Sequence, residues 1–163
     1  MPTITELVKE MELESRTTRK MLSRVPDDKL DWQPHSRSMA LGRLATHVAE
    51  LPGWVTMTLH TNELDFAKSA YKPKVIRTNP ELMGYFEETL ADGMKNLADA
   101  DQAELDKPWT LRNGEVILYT IPKTEVLRMA YCQIVHHRAQ LGVFLRLLDI
   151  PIPGSYGPSA DED

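Results

Sequence analysis

Apolar residues recur every three or four positions in four stretches of the chain, the spacing of helices that bury one face. The first, residues 3–24, is marked by Ile4, Leu7, Met11, Thr18, Met21 and Val25, with Thr3 placed to cap it and Pro26 to stop it. The second, about 39–60, carries Leu41, Leu44, Val48, Leu51, Val55 and Leu59. Pro52 sits inside it and removes a backbone donor, so a kink is expected near residues 48–52. The third opens at "NPEL", with Asn79 read as cap and Pro80 as first helical residue, and buries Leu82, Phe86, Leu90, Met94 and Leu97. The fourth runs from about Thr120-Ile121-Pro122 to Asp149, where "IPIPG" ends it.

The connections complete the outline. "PDDKLDWQPHSRSM" is a polar linker whose Trp32 is expected to plug one end of the core. "TNELDFAKSAYKPKVIRTN" is long enough for a crossover. Asn113-Gly114 in "PWTLRNGEVILY" predicts a small hairpin or ordered turn. The tail "SYGPSADED" reads as an exposed terminus. Together these predict one all-α domain over residues 1–163, an antiparallel four-helix bundle with crossover connections.

Composition narrows the function classes. The formal charge of −5 and the absence of a basic cluster speak against nucleic acid. No stretch approaches the roughly 18 consecutive apolar residues of a membrane span. The opening "MPTITELVKEMELESR" carries early acids and is expected to be neither signal nor transit peptide. A single cysteine, Cys132, excludes an intrachain disulfide and predicts a reducing, cytoplasmic setting.

Chemistry concentrates in "YCQIVHHRAQL", residues 131–141. Helical residues advance by about 100°, so His137, three after Ile134 and four before Leu141, lies in the buried stripe. Gln133, one i,i+4 step earlier, lies at the stripe's border, and His136 points nearly the opposite way. On the second helix His47 follows Leu44 by three and precedes Leu51 by four, bordering the same interior. Burying an imidazole without a partner costs about 1–3 kcal/mol, so either internal hydrogen bonds or a metal must satisfy these rings. A histidine at such a border is most often a satisfied core residue.

Several neighbours carry two readings each. Arg138 either orients an anionic substrate group or, preferentially, pairs with a carboxylate on a neighbouring helix. Glu50 reads first as a solvated residue and second as a support for His47. Trp54 and Trp109 suit bundle plugs better than a pocket mouth. Cys132 and His136 share an outer face with Met129, Val143 and Leu147. With that second apolar face the last helix either sits centrally or packs on another subunit, and a homodimer through this helix is the expectation.

"LDWQPHSRSMALGRLATHVAELPGW" at 30–54 and "QIVHHRAQLGVFLRLLDIPIPGSYGPSADE" at 133–162 resemble the DinB-like family, which includes YfiT-like members. The resemblance implies a four-helix bundle holding a divalent metal, zinc or nickel, on one histidine of the second helix and a His-x-x-x-His pair of the fourth. His47 matches the first position and His137 the last, but Gln133 stands where the middle histidine is expected. An amide is a poorer zinc ligand than imidazole, so the site is expected to be weak or selective. The implied activity is thiol S-transfer or hydrolysis on a small molecule, with a low-molecular-weight thiol as a possible partner. The alternative is a non-enzymatic, stress-associated dimer whose degenerate site binds a small ligand or nothing.

Overall fold

The structure, a computed structural model, describes residues 2–69 and 71–162. Within the crossover and the tail, Ala70 and Asp163 lie outside the described residues, as does Met1. Among the described residues five α-helices carry the fold: α1 (Ile4–Leu22), α2 (Leu41–Glu50), α3 (Gly53–His60), α4 (Asn79–Ala98) and α5 (Lys123–Leu147). α1, α2 and α3 each pack on both α4 and α5, which gives the expected four-helix bundle with its second member broken in two. The break falls at Leu51-Pro52, where proline cannot donate the next backbone hydrogen bond. α4 approaches this break at Gly93, and Thr89 Oγ1 donates to the Ala49 carbonyl at 2.6 Å.

The helix ends show where local chemistry won. Thr3 and Glu6 form a reciprocal capping box at the start of α1. α4 is capped by Thr78 rather than Asn79: Thr78 is extended, and its side chain accepts from Glu81 N. Asn79 instead lies in the first turn and turns its amide Nδ2 back onto the carbonyls of Leu22 and Val25, at 2.8 and 3.0 Å. It thereby satisfies free acceptors at the end of α1, a long-range task that no local pattern reveals.

A small sheet covers one end of the bundle. β2 (Pro108–Asn113) and β3 (Val116–Pro122) form an antiparallel hairpin, turning at Gly114 with φ +60°, a left-handed geometry suited to glycine. β1 (Glu63–Asp65), from the start of the crossover, adds in parallel to β2. Asp65 Oδ1 accepts from Gly114 N and Ala67 N, tying the crossover to the turn; the Gly114 bond comes first among the causes holding its carboxyl below the ordinary range. α5 starts at Lys123, because Thr120–Pro122 belong to β3.

The tail is docked rather than free. Arg146 pairs with Asp161, Arg24 with Glu162, and Tyr156 Oη donates to Glu14 Oε1 at 2.9 Å. Arg138, 2% exposed, donates to Glu14 Oε2 at 2.6 Å, to Thr18 Oγ1 at 3.1 Å and to Tyr156 Oη at 3.0 Å. Its guanidinium links α5, α1 and the tail. Trp109 is fully buried and donates from Nε1 to Thr61 Oγ1 at 3.0 Å, so it plugs the sheet end of the core.

Candidate functional site

α2 and α5 face each other across the interior, and their histidines meet there. The rings of His47 and His137 lie 4.7 Å apart between centroids at 70°, an edge-to-face contact. They border a cavity of about 310 Å³ lined by Leu51, Trp54, Leu111, Tyr119, Met129 and Gln133, among others. The hairpin contributes Leu111 and Tyr119, and the break at Pro52 separates His47 on α2 from Trp54 on α3. Trp54 therefore lines this cavity while Trp109 does not. His137 also borders a second depression, of about 410 Å³, with Arg37, Ser38 and Gln140.

The hydrogen bonds define which ring atoms are free. Glu50 is 8% exposed, and its Oε1 lies 2.5 Å from His47 Nδ1. Tyr71 Oη donates to both Glu50 oxygens at 2.8 Å, and Arg43 Nη2 donates to Tyr71 Oη at 3.0 Å. The carboxylate thus accepts from its neighbours, and His47 Nδ1 carries the proton. Glu50 is no solvated surface residue: Tyr71, delivered by the crossover, covers it. Burial first, and the Glu50 charge with it, push the Tyr71 phenol up to about 12.

His137 is arranged similarly. Its Nδ1 lies 2.9 Å from Gln140 Oε1, an acceptor, so Nδ1 is again the donor. Gln140 Nε2 in turn approaches His136 Nε2 at 3.2 Å, and the His136 and His137 ring centroids are 4.9 Å apart. Burial pushes the His137 imidazole below its ordinary value, and the nearby Arg43 charge acts the same way, while the Gln140 bond opposes them. Nε2 of both His47 and His137, the atom a metal would take, has no hydrogen-bond partner among the described residues.

A metal's requirements are met only in part. Among the described residues no three His, Cys, Asp or Glu side chains come together as a metal-binding group. Gln133 borders the same cavity and supplies an amide in place of a third strong donor. Two imidazoles and one amide would make a weaker site than three imidazoles. The pairing of His47 with His137 was legible from helical spacing. Glu50 stood three residues from His47 as a second-choice support, and Arg43 lies one turn before His47 on the same helix, but Tyr71 left no signal, because its approach depends on the path of the crossover.

A helical bundle whose cavity is walled by two inward histidines on facing helices defines the class of protein. Within that class the assignment is direct: the DinB family profile matches residues 1–162, and the chain belongs to the DinB family. It is similar to the uncharacterized protein YrdA of Bacillus subtilis (strain 168), 26% identical over 174 residues, spanning 98% of this chain and 92% of that protein. The fold is similar to that of a DinB-like protein from Bacillus cereus ATCC 10987, with TM-score 0.74, 18% identity, and coverage of 94% of this chain and 98% of the other. It is also similar to a mycothiol-dependent maleylpyruvate isomerase, with TM-score 0.63, 17% identity, and coverage of 87% of this chain and 61% of that one. No helix among the described residues is long and apolar enough to cross a membrane.

Proposed function

We propose that this chain is a divalent-metal-dependent enzyme acting on a small molecule, by thiol transfer or hydrolysis, with the ion held by His47, His137 and Gln133. The observation that carries the reading is the pair of rings bordering one cavity in edge-to-face contact, each engaged at Nδ1 by an oxygen acceptor and unpartnered at Nε2 among the described residues. Oriented imidazoles of this kind are the usual setting of metal ligands. A bound divalent ion supplies Lewis acidity and lowers the pKa of a coordinated water or thiol. The chain's own residues do the rest. Trp54, Leu111, Tyr119 and Met129 receive the apolar part of a ligand and exclude water from the histidines. Burial favours the neutral form of the His137 imidazole, the form with a lone pair to give. Similarity to a mycothiol-dependent enzyme supports a thiol as partner.

Zinc and nickel titrations of tag-free protein test this. One ion per chain at low micromolar concentration is expected, with uptake lost in both His47→Ala and His137→Ala. Absence of uptake by the wild-type protein at those concentrations overturns it.

Gln133 favours a second reading, a non-enzymatic ligand-binding bundle, since the amide weakens any metal site. A thermal shift by a small ligand that persists in chelator supports it over the enzyme. The exposed stripe of Met129, Val143 and Leu147 on α5 supports a homodimer, and the lone, exposed Cys132 supports a reducing, cytoplasmic setting. A monomeric mass in light scattering at micromolar concentration refutes the dimer.

A further inference from the structure

In the crossover between β1 and α4, the described residues 66–69 and 71–78 form no helix or strand, and most of them are exposed. Tyr71 is itself 57% exposed, yet its hydroxyl is engaged on three sides: with Glu50 Oε1, with Glu50 Oε2 and with Arg43 Nη2. A surface tyrosine gains little from such placement unless the group beneath needs holding. That group is a buried carboxylate with two competing suitors. His47 Nδ1 takes Oε1 at 2.5 Å, while Arg43 Nη1 stands off at 3.8 Å from the same oxygen.

We infer that Tyr71 is a positioning residue: by wedging its hydroxyl between Arg43 and Glu50, it keeps the carboxylate on His47 and fixes that ring with the proton on Nδ1. A guanidinium and a carboxylate left alone close into a two-pronged ion pair, the stronger geometry. Such closure would draw Glu50 away from His47. With Tyr71 in place, Arg43 spends one N–H on Oη, and the hydroxyl donates its own hydrogen bond to Glu50. The carboxylate is then satisfied without rotating. His47 keeps one tautomer, and its Nε2 lone pair stays turned to the cavity it shares with His137. The strap thus belongs to the site although it contributes nothing to the cavity wall.

The consequence for metal binding rests on the reading of His47 as a ligand; the tautomer itself does not. Tyr71→Phe is the variant, since it removes one oxygen and keeps the ring that stacks against Arg43 at 6.0 Å. Nitrogen-15 NMR of the histidine side chains in metal-free protein reads the tautomer, and zinc titration reads the affinity. In the neutral form of wild-type His47 the proton is expected on Nδ1. In Tyr71→Phe a mixture of Nδ1-H and Nε2-H forms is expected, together with a loss of zinc affinity of roughly tenfold or more, the usual effect of removing a group that orients a ligand. A His47 locked at Nδ1-H in Tyr71→Phe overturns the inference, whatever zinc does. If the wild type takes up no zinc while the tautomer still loosens in the variant, this inference stands and the metal reading falls. As a second variant, Arg43→Gln removes the competing charge, so adding it to Tyr71→Phe is expected to restore the single tautomer; failure to do so also counts against the wedge.

Discussion

Gly93 on α4 tests how closely the bundle is built around the break at Pro52. A methyl group added there would stand 2.5 Å from the Pro52 carbonyl oxygen, 3.3 Å from its carbon and 3.6 Å from Val55 Cβ. Ordinary contact begins near 3.4 Å, so backbone must move by most of an ångström, and no flexible side chain is available to yield. Forcing an extra carbon into a packed interior costs about 1–3 kcal/mol, and a backbone obstacle places this case near the upper end. Against that, alanine favours a helix over glycine by about 1 kcal/mol. The expected net effect of Gly93→Ala is a loss of about 2 kcal/mol, or a fall of about 4–8 °C in melting temperature for a chain of this size. Gly84, on the same helix, is the control: nothing lies within 4 Å of its added methyl. Gly84→Ala is therefore expected to gain about 0.5–1 kcal/mol. Urea unfolding of both variants, with unchanged slope, reads the difference. Equal stabilisation by the two substitutions would show that α4 does not press on the break, and the account of the α2–α3 turn would fail.

Arg138→Met leaves Glu14 with one fewer charged partner in a nearly closed setting, and breaking such a pair costs about 3–5 kcal/mol; a variant that unfolds at the wild-type urea midpoint refutes the link between α1, α5 and the tail. Glu104 accepts from Lys107 and from the buried Lys123, bonds that hold its carboxyl at about 2 rather than 4.5. A depressed carboxyl adds stability that is complete above 4.5 and disappears as the pH falls toward 2. Glu104→Gln should therefore flatten the drop in melting temperature across that window, and an unchanged acid profile would rule the pair out as its source.

Much of the bundle was legible in advance because helical burial is local arithmetic. The stripes at Leu41, Leu44 and Val48, and at Leu127, Ile134 and Leu141, each repeat within a few residues, and all six are buried. Angular position on one helix likewise brought His137 to the cavity beside His47, but it put His137 too deep and His136 too far off: Arg138 holds the buried stripe, His137 is half-buried, and the exposed His136 ring lies 4.9 Å from it. Pro52 announced its break because a missing N–H acts where it stands. Thr78 displaced Asn79 as cap for a different reason: both residues can cap, and only the end of α1, far off in sequence, gave Asn79 another occupation.

What the chain decided alone was periodic: four apolar faces, a break at one proline, a hairpin at Asn113-Gly114, and two histidines bound for the same interior. What required the assembled molecule was contact between segments with no shared period. Tyr71 reaches Glu50 over 21 residues, Tyr156 meets Glu14 over 142, and β1 joins β2 across the whole of α4. A side chain's direction on its own helix follows from backbone geometry, whereas the partner it meets depends on how loops travel, and loops carry no repeating pattern to read.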